Sequence, residues 1–177
     1  MNIEELRYPI GKFNPPEIIT PQILDHWIED IASFPQRLKK EVEYLSEEQL
    51  DTPYRPEGWT IRQVVHHCAD SHMNSFIRFK LALTENNPTV KPYFEALWAE
   101  LPDYKSAPLE PSIKILEGVH QRWVIILQSL SEEDRKKSFF HPKDNKTIYL
   151  DEVTGIYAWH GNHHLAHITT LKKSKNW

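Results

Sequence analysis

The 177-residue sequence has a single cysteine, Cys68. No internal disulfide can form, which suits a reducing cytoplasm, the expected location. Glycine is scarce too, at 5 residues. The dinucleotide fingerprint, the phosphate loop, the serine nucleophile elbow and paired CxxC motifs are all missing. The longest apolar run, Trp123 to Leu127, is far too short to span a bilayer. Acids stand near the N-terminus, at Glu4 and Glu5, where a secretory leader carries basic residues, so no leader is expected. Nor is there a basic excess. Lys and Arg total 21 against 25 Asp and Glu, a net charge of −4, which argues against nucleic acid or an anionic membrane as partner.

What remains is an ordinary globular composition, 40% hydrophobic and 26% charged, of a length that predicts one domain over residues 1–177. Proline clusters at Pro9 to Pro21, Pro53 to Pro56, Pro88 to Pro111 and Pro142 separate four segments of helical periodicity. The first, about Thr20 to Leu45, opens with an N-cap threonine and Pro21 and carries the stripe Leu24, Trp27, Ile28, Ile31, Phe34, Leu38, Val42; Pro35 predicts a kink. The second, about Thr60 to Leu83, starts with a Thr60/Gln63 capping box. The third runs from about Ser112 to Leu130, and the fourth from about Asp151, read as its N-cap, to Lys172. Ser138 to His141 and Thr147 to Leu150 flank a polar turn and predict a small hairpin. Long connections between four amphipathic helices predict an all-α four-helix bundle with at least one crossover.

The abundance is in histidine, 10 residues in all. His160, His163, His164 and His167 fall within one helix and make two i,i+4 pairs, each close enough for two imidazoles to share a metal. At about 100° per residue, His160 and His164 straddle the centre of the apolar stripe formed with Val153, Tyr157 and Leu171, and His163 lies at its edge. They are either a ligand pair or core histidines bonded to neighbours. The second helix offers His67 or His72 as third ligand. His72 projects among Val65, Cys68, Phe76 and Phe79. His67 shares a polar stripe with Ser71, Asn74 and Arg78, which either meets solvent or lines a cavity. His66 is expected to be exposed, Cys68 to be a core residue, and His26, His120 and His141 to be peripheral or locally bonded.

The combination Trp59-Thr60, His67, Asp70 and, roughly 90 residues on, His160-Gly161-Asn162-His163-His164 resembles the DinB-like superfamily, most closely its YfiT-type branch of metal-dependent hydrolases. The resemblance implies an up-down-down-up bundle, metal ligation by His67, His160 and His164, and a homodimer. Many relatives have Arg-Gly-Gln after the last ligand, where this chain has Leu165-Ala166-His167; His167 is thereby an extra pocket candidate beside Ser71, Asn74, Arg78 and His163. Three histidines suit zinc, with nickel as the alternative, and leave coordination positions open. Such an ion activates water for hydrolysis of a small molecule, the activity the resemblance implies. Other branches are similar to enzymes that transfer a low-molecular-weight thiol such as bacillithiol, which makes S-transfer the second reading. A metal-stabilised binding module is the third. No motif places a general base; Asp70 is the one carboxylate in the pattern, as a group behind the ligands or at the surface.

Overall fold

The computed structural model describes residues 2–177. Its elements, in chain order, are α1 (Ile3–Arg7), α2 (Pro21–Val42), α3 (Glu47–Leu50), α4 (Ile61–Thr84), α5 (Glu95–Trp98), α6 (Pro102–Ser106), α7 (Glu110–Ser129), α8 (Glu132–Arg135), β1 (Ser138–His141), β2 (Lys146–Tyr149) and α9 (Leu150–Lys175). The four long helices α2, α4, α7 and α9 match the four periodic segments. Thr20 caps α2 by accepting from the Ile23 amide, and Thr60 and Gln63 close a reciprocal capping box on α4. The proline-rich stretch after α4 yields only the short α5 and α6. β1 and β2 form the expected antiparallel hairpin, Phe139 opposite Ile148.

One boundary differs from its sequence signal. Asp151 is not the N-cap of α9; Tyr149 holds that position without a side-chain bond, and helix begins at Leu150. The cause is the hairpin. β2 feeds directly into the helix, and the Leu150 amide donates to the Lys137 carbonyl at 2.9 Å. α2 continues as helix through Pro35.

Side-chain contacts give the helix directions. Asp30, Arg37 and Glu41 of α2 meet Asn162 and Lys172 of α9 in rising order, so these two helices are parallel. His66 and His72 of α4 meet Ser112 and His120 of α7, again in rising order. His67 and Ser71 of α4 meet His160 and Tyr157 of α9 in falling order, so that pair is antiparallel. The order is up-down-down-up. Two glycines of α9 permit the close α2–α9 contact. A Cβ at Gly155 would stand 2.7 Å from the Trp27 ring, and one at Gly161 2.9 Å from the Phe34 ring.

The core divides into two apolar clusters. One gathers Ile28, Ile31, Phe79, Trp123, Leu127 and Val153; the other Phe34, Leu38, Val65, Leu116 and Ile168. Between them along α4, α7 and α9 lie His72, His120 and His160. A layer of imidazoles thus crosses the bundle between two dry layers, where each ring nitrogen needs a partner.

Candidate metal centre

His67 on α4 and His160 and His164 on α9 converge. Each offers one ring nitrogen, and these three atoms lie within 4.8 Å of one another. The closest pair, His67 Nε2 and His160 Nε2, is 3.2 Å apart. A tetrahedral ion bound at about 2.0–2.1 Å separates its ligand nitrogens by about 3.3–3.4 Å. Burial holds the three rings neutral, the state in which they present lone pairs. It lowers His67 to about 4, against a smaller opposing pull from Glu95, and drives His160 and His164 well below the ordinary histidine value. His67 Nδ1 and His164 Nδ1 are buried with no hydrogen-bond partner among the described residues. Neutral, convergent imidazoles with unpaired nitrogens fit a late divalent metal. Trp59, at the entry to α4, packs on two of them, its ring 4.7 Å from that of His67 and 6.4 Å from that of His164.

The three histidines form part of the wall of an open pocket of about 820 Å³. Ser71, Arg78, His163 and His167, all pocket candidates from the sequence, also line it. Asn74 is not among the lining residues; its side-chain amide donates to the Asp70 carbonyl on its own helix. His167 stacks on Tyr54 at 3.9 Å, and its Nε2 lies 3.1 Å from the Arg7 carbonyl, which ties the N-terminal segment to the pocket rim. His163 stacks on Trp159 at 4.5 Å.

Asp70 makes no bond to the three histidines. It accepts from the Tyr104 hydroxyl at 2.6 Å and so fastens α6 to α4. His72 does not join the trio; it stands one step behind, its Nε2 3.0 Å from His160 Nδ1. Two further expectations are corrected. His66 is buried, not exposed: the chain leading into α7 covers it, its Nδ1 lies 2.7 Å from Ser112 Oγ and its Nε2 3.3 Å from the Ala107 carbonyl. His120 is not peripheral but 1% exposed, bonded to groups on two other helices. His141 meets its near neighbour Asp144, Nδ1 to carboxylate 2.6 Å, and the hairpin also sets it in the pocket wall. His26 stays exposed beside Asp30, and Cys68 is a fully buried core thiol whose pKa burial raises.

Periodicity does not reveal the pocket's loop-borne charges. Lys143, from the hairpin turn, lies 3.1 Å from Glu95, and both line the cavity. Burial pushes the Glu95 carboxyl up, but a backbone hydrogen bond and Lys143 outweigh it and leave the group below the usual range. Arg55 donates to the Pro56 carbonyl and Arg78 to the Lys91 carbonyl. Neither arginine has a carboxylate within 4.0 Å among the described residues, and both face the cavity. The signals for them were faint: Arg55 lies in a proline turn and Glu95 in a short helix with no stripe.

Comparison with known proteins gives the family and the fold. The profile of the DinB superfamily matches residues 31–168, and the chain belongs to that superfamily. It is 55% identical over 175 residues to a protein of Bacillus cereus (strain 03BB102) and, equally, to one of Bacillus anthracis (strain A0248), covering 99% of this chain and 100% of each relative; both are named "Putative metal-dependent hydrolase". Its fold is that of YfiT from Bacillus subtilis, described as "a probable metal-dependent hydrolase with an unusual four-helix bundle topology". That structure superposes with a TM-score of 0.95 at 47% identity, covering 98% of this chain and 99% of that one.

Proposed function

We propose that this chain is a metal-dependent hydrolase of small molecules, with one divalent ion, zinc or nickel, held by His67, His160 and His164. The observation that carries this reading is the convergence of three neutral imidazoles on the wall of an open 820 Å³ pocket. A bound ion would supply Lewis acidity and bring the pKa of a water into the neutral range. A structural zinc site normally closes with four protein ligands and needs no cleft, so the open pocket favours catalysis over a metal-stabilised module.

The chain's own residues supply the rest. Trp59 shields one side of the trio and limits the motion of two rings. Glu95, ionised and in the pocket, is the carboxylate we assign as proton acceptor. Arg55 and Arg78, bonded to uncharged groups and not to a carboxylate, would bind an anionic group of the substrate. The same two arginines favour the second reading, S-transfer from a thiol that carries carboxylates.

The deciding experiment screens zinc-loaded protein, made without a His tag, against ester, amide and phosphoester panels, and in parallel against bacillithiol with a model electrophile. Saturable hydrolysis lost in His164→Ala is expected. Thiol conjugation without hydrolysis would replace the first reading by the second. Light scattering at twice the chain mass is the expected signature of the homodimer.

A further inference from the structure

His72 and His120 take no part in the proposed trio and do not line the pocket, yet each is 1% exposed. They belong to a continuous line of contacts. The Ile31 carbonyl lies 2.6 Å from His120 Nδ1. His120 Nε2 lies 2.7 Å from His72 Nδ1, and His72 Nε2 lies 3.0 Å from His160 Nδ1. Each of α2, α7, α4 and α9 contributes one member. Phe34 stacks on His72 at 5.1 Å, and Tyr157 and Trp123 meet its ring edge-on. This aromatic sheath keeps the line dry.

The direction of every hydrogen bond in the line follows from its far end. A carbonyl only accepts, so His120 carries its proton on Nδ1. A neutral imidazole has one N–H and one lone pair. His120 Nε2 therefore accepts, and His72 must donate from Nδ1. His72 Nε2 then accepts, and His160 must donate from Nδ1. The lone pair of His160 is left on Nε2, the atom that faces His67 at 3.2 Å. No carboxylate contacts His72 or His120 to stabilise a charged ring in their place.

The anchor itself has a sequence cause. In an α-helix the Ile31 carbonyl accepts from the amide of residue 35, and here residue 35 is proline, inside α2. Pro35 has no N–H to give. The carbonyl it frees is the one that accepts the hydrogen bond from His120 Nδ1–H.

We propose that His72 and His120 are positioning residues: anchored on the Ile31 carbonyl that Pro35 releases, they lock His160 in its Nδ1–H tautomer and aim its Nε2 lone pair at the metal. This rests on the ligand assignment above for the metal, but the tautomer stands without it. Of the three candidate ligands, His160 alone has its Nδ1 held by another side chain; His67 Nδ1 and His164 Nδ1 have no partner among the described residues. Such outer partners of a ligating histidine set its orientation and basicity.

The test is nitrogen–proton correlation of the imidazoles in the full-length, metal-free protein with 15N-histidine, together with zinc affinity measured against a chromophoric chelator. His120, His72 and His160 are expected as Nδ1–H tautomers in the wild type. His120→Leu should release His160 from the single tautomer and weaken zinc binding by roughly 10–100-fold. His120→Gln keeps one donor and one acceptor and should restore both the tautomer and most of the affinity. An Nε2–H tautomer of His160 in the wild type overturns the proposal, and that result needs no variant to fold. So does a folded His120→Leu with unchanged His160 shifts and affinity. Undiminished zinc stoichiometry in His164→Ala would instead sink the ligand assignment and leave the tautomer result untouched.

Discussion

Burial and partner decide what each histidine does. His66 is committed to Ser112 and the Ala107 carbonyl, a structural bond between α4 and the chain that enters α7. His72 and His120 are committed to one another. At His67, His160 and His164 one ring nitrogen each converges on a shared point, and the other nitrogen of His160 is held by His72. Glu95 is the pocket carboxylate whose charge pulls on His67, and as proton acceptor it should be sensitive to a neutral isostere. Glu95→Gln is expected to lower kcat about 100-fold or more with metal content unchanged, read by steady-state kinetics beside elemental analysis. Equal kcat in the variant would remove Glu95 from the chemistry. The helical spacing of His160 and His164 was legible in the sequence because both partners lie on one element. The choice of His67 over His72 was carried by the family pattern, since both sit on inward-facing parts of α4. The role of His120 was not legible, because its partners stand on other helices, 48 and 89 residues away in the chain.

At the level of elements, α2 and α9 must approach closely for the imidazole layer to close. Gly161→Ala places a methyl 2.9 Å from the Phe34 ring, and Phe34 stacks on His72 and packs, tilted, against His120. The substitution should cost about 1–3 kcal/mol by overpacking, measured by denaturant unfolding, and weaken metal affinity as well. Loss of stability with intact affinity would separate Phe34 from the site. Pro35→Ala reaches the same layer from the other side. It restores an amide that competes for the Ile31 carbonyl, so zinc affinity is expected to fall a few-fold, less than in His120→Leu, while α2 gains helix propensity. Unchanged affinity would mean that the carbonyl serves both donors equally well. Capping boxes and apolar stripes revealed the four long helices within a few residues. The start of α9 was misplaced at Asp151 because the hairpin, a tertiary neighbour, sets it through the Lys137 carbonyl.

For the whole molecule, the buried histidines couple stability to pH. Burial lowers His120 to about 4, with the Ile31 carbonyl opposing in part, and lowers His67 and His163 to about 4. Free histidine titrates near 6.5, so between pH 6.5 and 4 the unfolded chain takes up protons that the folded one refuses. Stability must then fall as pH falls through that window. For the fully buried His120 the loss is about 3 kcal/mol by pH 4. Thermal unfolding of metal-free protein should show Tm constant from pH 8 to 7 and dropping steeply from 6.5 to 4.5; a Tm that held or rose on acidification would show the rings charged in the fold. A bound metal should move the drop to lower pH, since it occupies the lone pairs of His67, His160 and His164 that protons would otherwise take. The up-down-down-up order is what makes one centre from α4 and α9, two antiparallel neighbours, with α2 and α7 supplying the layer behind. Periodicity could forecast a bundle and a crossover, whereas the order of its helices followed from the family resemblance. The central claim is that this bundle is built around one metal. It is tested most directly by elemental analysis of the protein purified without a His tag, beside His160→Ala. About one zinc or nickel per chain, lost in the variant, is the result expected. No metal after reconstitution, or equal metal in the variant, would contradict it.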